Sequence, residues 1–111
     1  PQDIVKKNIA IYQRRRDLVV RTLREIGISV EPPKATFYIW SPTPAGTTSM
    51  DFAGRLLDLC GVVVTPGIGY GTLGEGFIRI SLSTPDARLE EAMGRIRKVK
   101  EQLAPATAGR A

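Results

Sequence analysis

One arginine stands on a predicted β-strand whose neighbours alternate in polarity. Residues 77–82 read Phe-Ile-Arg-Ile-Ser-Leu, and side chains along a strand point alternately to opposite faces. The isoleucines therefore share a face suited to a core, and Arg79 lies on the other face, because an unpaired buried charge is very costly. A guanidinium fixed on a strand fits a carboxylate through two parallel hydrogen bonds. The strand alone favours an arginine that is merely solvated or salt-bridged, because surface arginines are common.

A glycine-rich loop precedes this strand. Residues 66–76 contain five glycines, each of which allows a positive φ or a close backbone approach. The spacing differs from the dinucleotide-binding fingerprint. The loop also leads into a strand rather than a helix, so it lacks the helix N-terminus that binds phosphate. Packing against another domain is predicted for the central residues, namely Gly67, Gly69, Tyr70 and Gly71.

Several kinds of catalysis are excluded by composition. The 111-residue chain has no histidine, which removes Ser/His and Cys/His nucleophile pairs and His-containing zinc sites. Its single cysteine, Cys60, forms no internal disulfide and fits a reducing, cytoplasmic compartment. Cys60 falls at the end of a predicted helix and is interpreted as a core residue. The carboxylates form no metal-binding or acid–base pair in sequence, so no catalytic or metal-ligating residue is predicted.

The charge balance permits an anionic partner but does not indicate one. The net charge is +5 and the sequence pI is about 9.8, which is compatible with RNA or another polyanion. The basic residues are, however, spread along predicted helices with acidic residues between them. We interpret them as solvated helix faces. No apolar run reaches the roughly 20 residues that a membrane-spanning helix needs.

Hydrophobic periodicity predicts three helices and three strands in the order α-β-α-β-β-α. The helices cover about 3–26, 50–60 and 85–103, with Gly27 ending the first and Ser49 and Thr84 as N-caps of the others. The strands cover 36–41, 62–65 and 77–82, and the apolar run 62–65 is expected to be buried. The predicted fold is an α+β two-layer sandwich with helices on one face of a three-stranded sheet.

The other face of this sheet carries aromatic side chains and no predicted cover. An uncovered apolar face of this kind indicates half of a larger assembly. The length corresponds to one domain, assigned to residues 1–103. Residues 104–111 are predicted to form a flexible tail.

Four stretches carry a resemblance to a known family: residues 12–17, 32–40, 64–71 and 76–81. Taken together, they resemble the C-terminal small domain of fold-type I, pyridoxal phosphate-dependent aminotransferases of class I/II. The similarity extends over about residues 3–103 and is closest to the aspartate-type and LL-diaminopimelate enzymes. It implies that Arg79 binds the α-carboxylate of the substrate, and that the loop at 66–71 lies near the active-site mouth or the domain interface, with Tyr70 where the family has Phe.

The resemblance also implies what this chain does not supply. Family members hold pyridoxal 5'-phosphate on a lysine in a Ser-x-x-Lys setting of the large domain. None of the available lysines stands in that setting: Lys6, Lys7, Lys34, Lys98 and Lys100. We therefore expect a fragment, beginning within or just before its first long helix, that alone neither binds the cofactor nor transaminates.

The parent enzyme is expected to be a cytoplasmic homodimer that moves an amino group between an amino acid and a 2-oxo acid. It is expected to bind neither nucleic acid nor a membrane. Two alternatives stay open on the sequence. One is a stand-alone basic module that binds RNA or another anionic partner. The other is a purely structural interaction domain, in which Arg79 has a fixed acidic partner within the protein.

Overall fold

The chain folds as helices packed with a small antiparallel sheet. The computed structural model describes residues 2–32 and 37–103, so the predicted tail at 104–111 lies outside the described residues. The elements are α1 (Gln2–Glu25), β1 (Tyr38–Pro42), α2 (Ser49–Arg55), β2 (Thr65–Pro66), β3 (Phe77–Ser81), α3 (Asp86–Lys98) and α4 (Lys100–Leu103). A π-helical turn at Leu56–Cys60 extends α2, and 3₁₀ turns occupy Gly67–Tyr70 and Thr72–Gly74. The prediction of a protein that combines helices with a three-stranded sheet is confirmed.

Helix α1 has an inner half in the core and an outer half in solvent. Its C-terminal half buries Val19 and Leu23, whereas every side chain from position 3 to position 10 is exposed. The helix ends where predicted, because Gly27 adopts a φ of 95°. The Gly27 N–H donates to the Arg24 carbonyl and the Ile28 N–H to the Leu23 carbonyl, each at 3.0 Å, which satisfies carbonyls left over at the helix end. None of the helices described is long and apolar enough to cross a bilayer.

The sheet has the order β1-β3-β2, and both pairs are antiparallel. Burial alternates along β3 as the sequence predicts, with Ile78 and Ile80 buried and Phe77 and Ser81 exposed. Strand β1 follows the same alternation and turns Ile39 into the core. The sheet therefore has one buried face and one open face.

The core is a single apolar cluster that every long element joins. Helix α1 supplies Leu23, the sheet supplies Ile78, and the helical segments supply Phe52, Leu56 and Met93. Burial at the end of the α2 extension raises the pKa of the Cys60 thiol, an effect that Arg95 partly opposes. The interpretation of Cys60 as a core residue is thus confirmed, and its thiol is poorly suited to act as a nucleophile.

One strand prediction from sequence is wrong. The apolar run 62–65 does not form a buried strand: only Thr65 and Pro66 pair with β3, and Val63 is 82% exposed. An apolar run states a preference for burial but not which neighbour is within reach. Strand β1 begins at Tyr38, after exposed Phe37, and position 36 of the predicted strand lies outside the described residues.

Both predicted N-caps are displaced. Thr48, not Ser49, caps α2 by accepting a 3.1 Å hydrogen bond from the Asp51 N–H. Helix α3 begins at Asp86 after Pro85 and has no side-chain cap, although Thr84 was the predicted cap. Several hydroxyl residues in a row, as at 47–49, leave the choice of cap to tertiary contacts.

An ion-pair cluster joins the middle of α1 to the start of α3. Asp86 accepts from Arg15 Nε at 2.6 Å and from Arg14 at 3.0 Å, and Arg15 also donates to the Leu82 carbonyl at 2.9 Å. The hydrogen bond from Arg15, and then that from Arg14, lower the pKa of Asp86 below its ordinary value of 3.8. The arginines that interrupt the apolar pattern of α1 therefore contribute to its attachment.

The core predicts a matched pair of leucine substitutions. Leu23 is fully buried and Leu73 is 98% exposed. Leu23→Ala should lower the free energy of unfolding by about 2–5 kcal/mol, because it removes buried methyl groups and leaves a cavity. Leu73→Ala should change it by less than about 0.5 kcal/mol. Urea unfolding followed by circular dichroism measures both, and equal effects would contradict the burial assignment.

The Arg–Asp86 cluster predicts a pH-dependent stability difference. A carboxyl whose pKa is lowered on folding stabilises the protein above its unfolded pKa and loses that contribution as pH falls through the folded value. Asp86→Asn should therefore destabilise the chain at neutral pH, and this deficit should shrink below pH 3.8, the ordinary value for Asp86. Urea titrations at stepped pH measure the deficit. Asp58→Asn, at an exposed site, is the control. A deficit that does not change with pH would contradict the assignment.

Candidate functional site: an arginine on the open sheet face

The open face of the sheet centres on Arg79. Strand β3 is the middle strand, so Arg79 lies between Trp40 on β1 and Thr65 on β2, its partners in the two registers. Tyr38 and Phe77 are on the same face as Arg79 and are exposed. The prediction that Arg79 projects away from the core is confirmed by this placement.

Aromatic rings hold the guanidinium of Arg79. Its Cζ atom lies 4.0 Å from the ring centroid of Tyr38 and 4.8 Å from that of Tyr70. Tyr70 in turn meets Trp40 edge-on, with the ring centroids 5.2 Å apart. Both contacts of Cζ are within cation–π range. The rings fix the position of the charge without neutralising it.

The guanidinium has no carboxylate partner in the part of the chain that the structure describes. Other arginines do: Arg14 and Arg15 pair with Asp86, and Arg97 pairs with Glu25 at 2.8 Å. An arginine presents five N–H donors in a planar fork, and at Arg79 these donors are available to a bound anion. Nothing among the described residues supplies the fixed acidic partner that the structural alternative requires.

The glycine loop closes on itself by backbone contact. A Cβ atom built on Gly67 would overlap the carbonyl oxygen of Gly74 and lie 2.7 Å from that of Phe77. Gly71 has a φ of 112°, which favours glycine. Gly69 has nothing within 4 Å of the position of its missing Cβ. Gly67 and Gly71 are thus required by geometry, whereas Gly69 is not.

A carboxylate joins this loop to the start of α2. Glu75 accepts from the Ser49 N–H at 2.8 Å, from Ser49 Oγ at 3.0 Å and from the Gly76 N–H at 2.8 Å. Ser49 Oγ also accepts from the Ile68 N–H at 3.3 Å. The hydrogen bond from the Ser49 backbone is the largest of the effects that lower the pKa of Glu75. Glu75 and Ser49 together therefore join both ends of the loop to the start of the helix.

The structure brings together two of the predicted site residues, Arg79 and Tyr70. It places Gly67 at the neck of the loop, which is the backbone contact between Gly67 and Gly74. Gly69 and Gly71 are exposed, and no described contact links them to Arg79. Sequence reasoning did not assign Tyr38 or Trp40 to the site. Their signal was present, since they alternate with buried Ile39 along β1.

Among the described residues, no lysine lies on the strands of this face. Pyridoxal phosphate is held through a lysine amine. The lysines in the described ranges are on helices rather than on the strands of the open face: Lys6, Lys7, Lys98 and Lys100. The described residues likewise include no cluster of three metal-ligating side chains. The face offers a cation and aromatic rings, which suit recognition of an anion.

Comparison with known proteins shows the family to which this chain belongs. The family profile "Aminotransferase class I and II" matches residues 1–96. The chain therefore belongs to the class I and II aminotransferases, a family whose typical cofactor is pyridoxal phosphate.

Within this family, the chain is similar to enzymes named LL-diaminopimelate aminotransferase. The chain is 55% identical over 101 residues to LL-diaminopimelate aminotransferase of Dehalococcoides mccartyi, covering 91% of this chain and 26% of that one. The enzyme of the same name from Desulforudis audaxviator is 55% identical over 97 residues, covering 87% and 25%. The chain thus spans about a quarter of the length of the curated relatives it matches.

Solved structures of aminotransferases superpose closely on this chain. An aromatic aminotransferase from Pyrococcus horikoshii superposes with a TM-score of 0.82 at 40% identity, covering 91% of this chain and 28% of that one. LL-diaminopimelate aminotransferase from Chlamydomonas reinhardtii gives 0.79 at 33% identity, covering 90% and 25%.

The glycine loop predicts a contrast between two alanine substitutions. Gly67→Ala should destabilise the chain by about 1–3 kcal/mol, because the new methyl group forces the backbone away from Gly74. It should also change the fluorescence of Trp40, the only tryptophan. Gly69→Ala should do neither. Urea unfolding and tryptophan emission test both, and equal behaviour would contradict the close approach.

Proposed function

We propose that this chain is the C-terminal small domain of a pyridoxal phosphate-dependent aminotransferase, assigned to residues 1–103, and that it binds the substrate carboxylate. The parent enzyme would move an amino group between an amino acid and a 2-oxo acid. Membership of the class I and II family supports the class of reaction. The resemblance of residues 64–71 and 76–81 to the C-terminal part of such enzymes supports the position of the domain.

One observation carries the assignment of Arg79: a guanidinium on a strand, held by two tyrosine rings, with no ion pair in the described part of the chain. Carboxylate oxygens accept two parallel hydrogen bonds from such a fork. Cation–π contacts at exposed sites contribute only about 0.5–1 kcal/mol. They orient the side chain without competing strongly with an incoming carboxylate.

The rest of the enzyme is proposed to cover the surfaces that this chain leaves open. The open face exposes Trp40 and Phe77, and the outer half of α1 exposes Ile4, Val5 and Ile9. Apolar surface of this extent is typical of contact with another domain or subunit. We assign it to the large domain and to the partner subunit of a homodimer. In the proposed two-layer arrangement, helices cover one face of the sheet and the substrate binds on the other face.

The large domain is also proposed to hold pyridoxal phosphate, which supplies the chemistry of amino-group transfer when bound. The residues of this chain bind and orient the substrate: Arg79 holds its carboxylate, and Tyr38 and Tyr70 hold Arg79. Movement of this domain toward the large domain would exclude water from the bound amino acid. A free, buried thiol at Cys60 supports a cytoplasmic location.

No observation favours the alternative of an RNA-binding module. Five helix arginines that could contribute to a polyanion-binding surface are instead paired with carboxylates: Arg14, Arg15, Arg16, Arg95 and Arg97.

The test is Arg79→Ala in the complete enzyme, with LL-diaminopimelate as the first amino donor because the relatives at 55% identity carry that name. Loss of charge-assisted hydrogen bonds of about 1.5–3 kcal/mol should raise KM for the amino acid roughly 10- to 150-fold. Loading with cofactor, read from its absorbance, should not change.

The matched control is Arg21→Ala, which removes an exposed arginine on α1 and should leave KM unchanged. If Arg79→Ala left KM unchanged for several amino and oxo acids, Arg79 would not be the carboxylate-binding residue.

A further inference from the structure

We infer that Glu75 is a positioning residue for the carboxylate site: it anchors the glycine loop to α2 and thereby keeps the ring of Tyr70 against the guanidinium of Arg79. This inference rests on the proposed function and assigns a role to a residue outside the substrate-contacting face. Tyr70 and Arg79, the two side chains whose contact it supports, are nine positions apart in sequence and belong to different elements.

The first step is the attachment of the loop. Both carboxylate oxygens of Glu75 are used, with Oε2 accepting from the Ser49 and Gly76 N–H groups and Oε1 from Ser49 Oγ. Ser49 Oγ then accepts from the Ile68 N–H, at the start of the turn that carries Tyr70. A continuous chain of hydrogen bonds therefore runs from Glu75, at the C-terminal end of the loop, through Ser49 of α2 to Ile68, at the N-terminal end of the loop.

The second step is the rigidity of the neck. Gly67 and Gly74 are in backbone contact, and no side chain fits between them. Charge-assisted hydrogen bonds are the stronger class, and three of them converge on Glu75 beside this contact. The loop is thus held from both sides, and residues 68–73 span a closed neck.

The third step leads to the charge. Tyr70 ends the first 3₁₀ turn of the loop, and its ring contacts both Trp40 and the guanidinium of Arg79. Release of the loop would withdraw one of the two rings that hold Arg79. The side chain would then sample more rotamers, and binding a carboxylate would cost more conformational entropy.

A spectroscopic test uses the 111-residue chain itself. Trp40 is its only tryptophan and lies beside Tyr70, so near-ultraviolet circular dichroism and acrylamide quenching report loop position. Glu75→Gln and Ser49→Ala should each move both signals toward those of Tyr70→Ala, with far-ultraviolet dichroism unchanged. Because they break one network, the double variant should move them no further than the larger single effect.

The control is Glu101→Gln, the same chemical change at an exposed site on α4. If acrylamide quenched Trp40 in the Glu75→Gln variant no more strongly than in this control, the inference would be overturned. Should Glu75→Gln fail to fold, Ser49→Ala decides instead, since it removes only one hydroxyl from the same network.

A kinetic test uses the complete enzyme. Glu75→Gln should raise KM for the amino donor roughly two- to fivefold, the weight of one exposed cation–π contact, with kcat and cofactor absorbance retained. In an Arg79→Ala background the same change should add nothing. A rise in KM for Arg79→Ala but not for Glu75→Gln would overturn this inference alone. No rise for Arg79→Ala would overturn the proposed function and this inference with it.

Discussion

The structure depends on keeping a full positive charge on a β-sheet without a counter-ion among the described residues. An arginine in the centre of a three-stranded sheet would be unstable if it faced the core. Alternation along β3 solves this by placing Ile78 and Ile80 inside and Arg79 outside. Aromatic contacts then restrict the side chain, so that the charge is held in place and still unpaired within the described residues.

The supports of this charge come from three separate parts of the chain. Strand β1 provides Tyr38 directly and Trp40 indirectly, and the loop after β2 provides Tyr70. The loop is held by Glu75, which also satisfies an N–H group at the beginning of α2 that has no intrahelical partner. Helix α2 in turn buries Phe52 in the core. Core packing and anion recognition are therefore linked through a few hydrogen bonds at one helix end.

Much of this arrangement could be predicted from the sequence, and the reasons for the exceptions are physical. The face of Arg79 and the end of α1 at Gly27 follow from local rules, namely strand alternation and the φ that glycine allows. The role of Glu75 could not be predicted, because its partner Ser49 is 26 positions away and the contact depends on how the loop folds back. Val63 was misassigned for a related reason: a run of valines indicates burial but does not identify the surface that buries it.

The closed neck at Gly67 and Gly74 has a consequence for how such a domain can vary. Because the chain enters and leaves the loop at one backbone contact, residues added or removed between these glycines would not displace β3 from its register. Lengthening a loop costs little free energy, about 0.6 kcal/mol for each doubling. Tip length and composition can therefore diverge among descendants of a common ancestor, altering how far an aromatic ring reaches over a ligand, while the arginine beneath stays where it is.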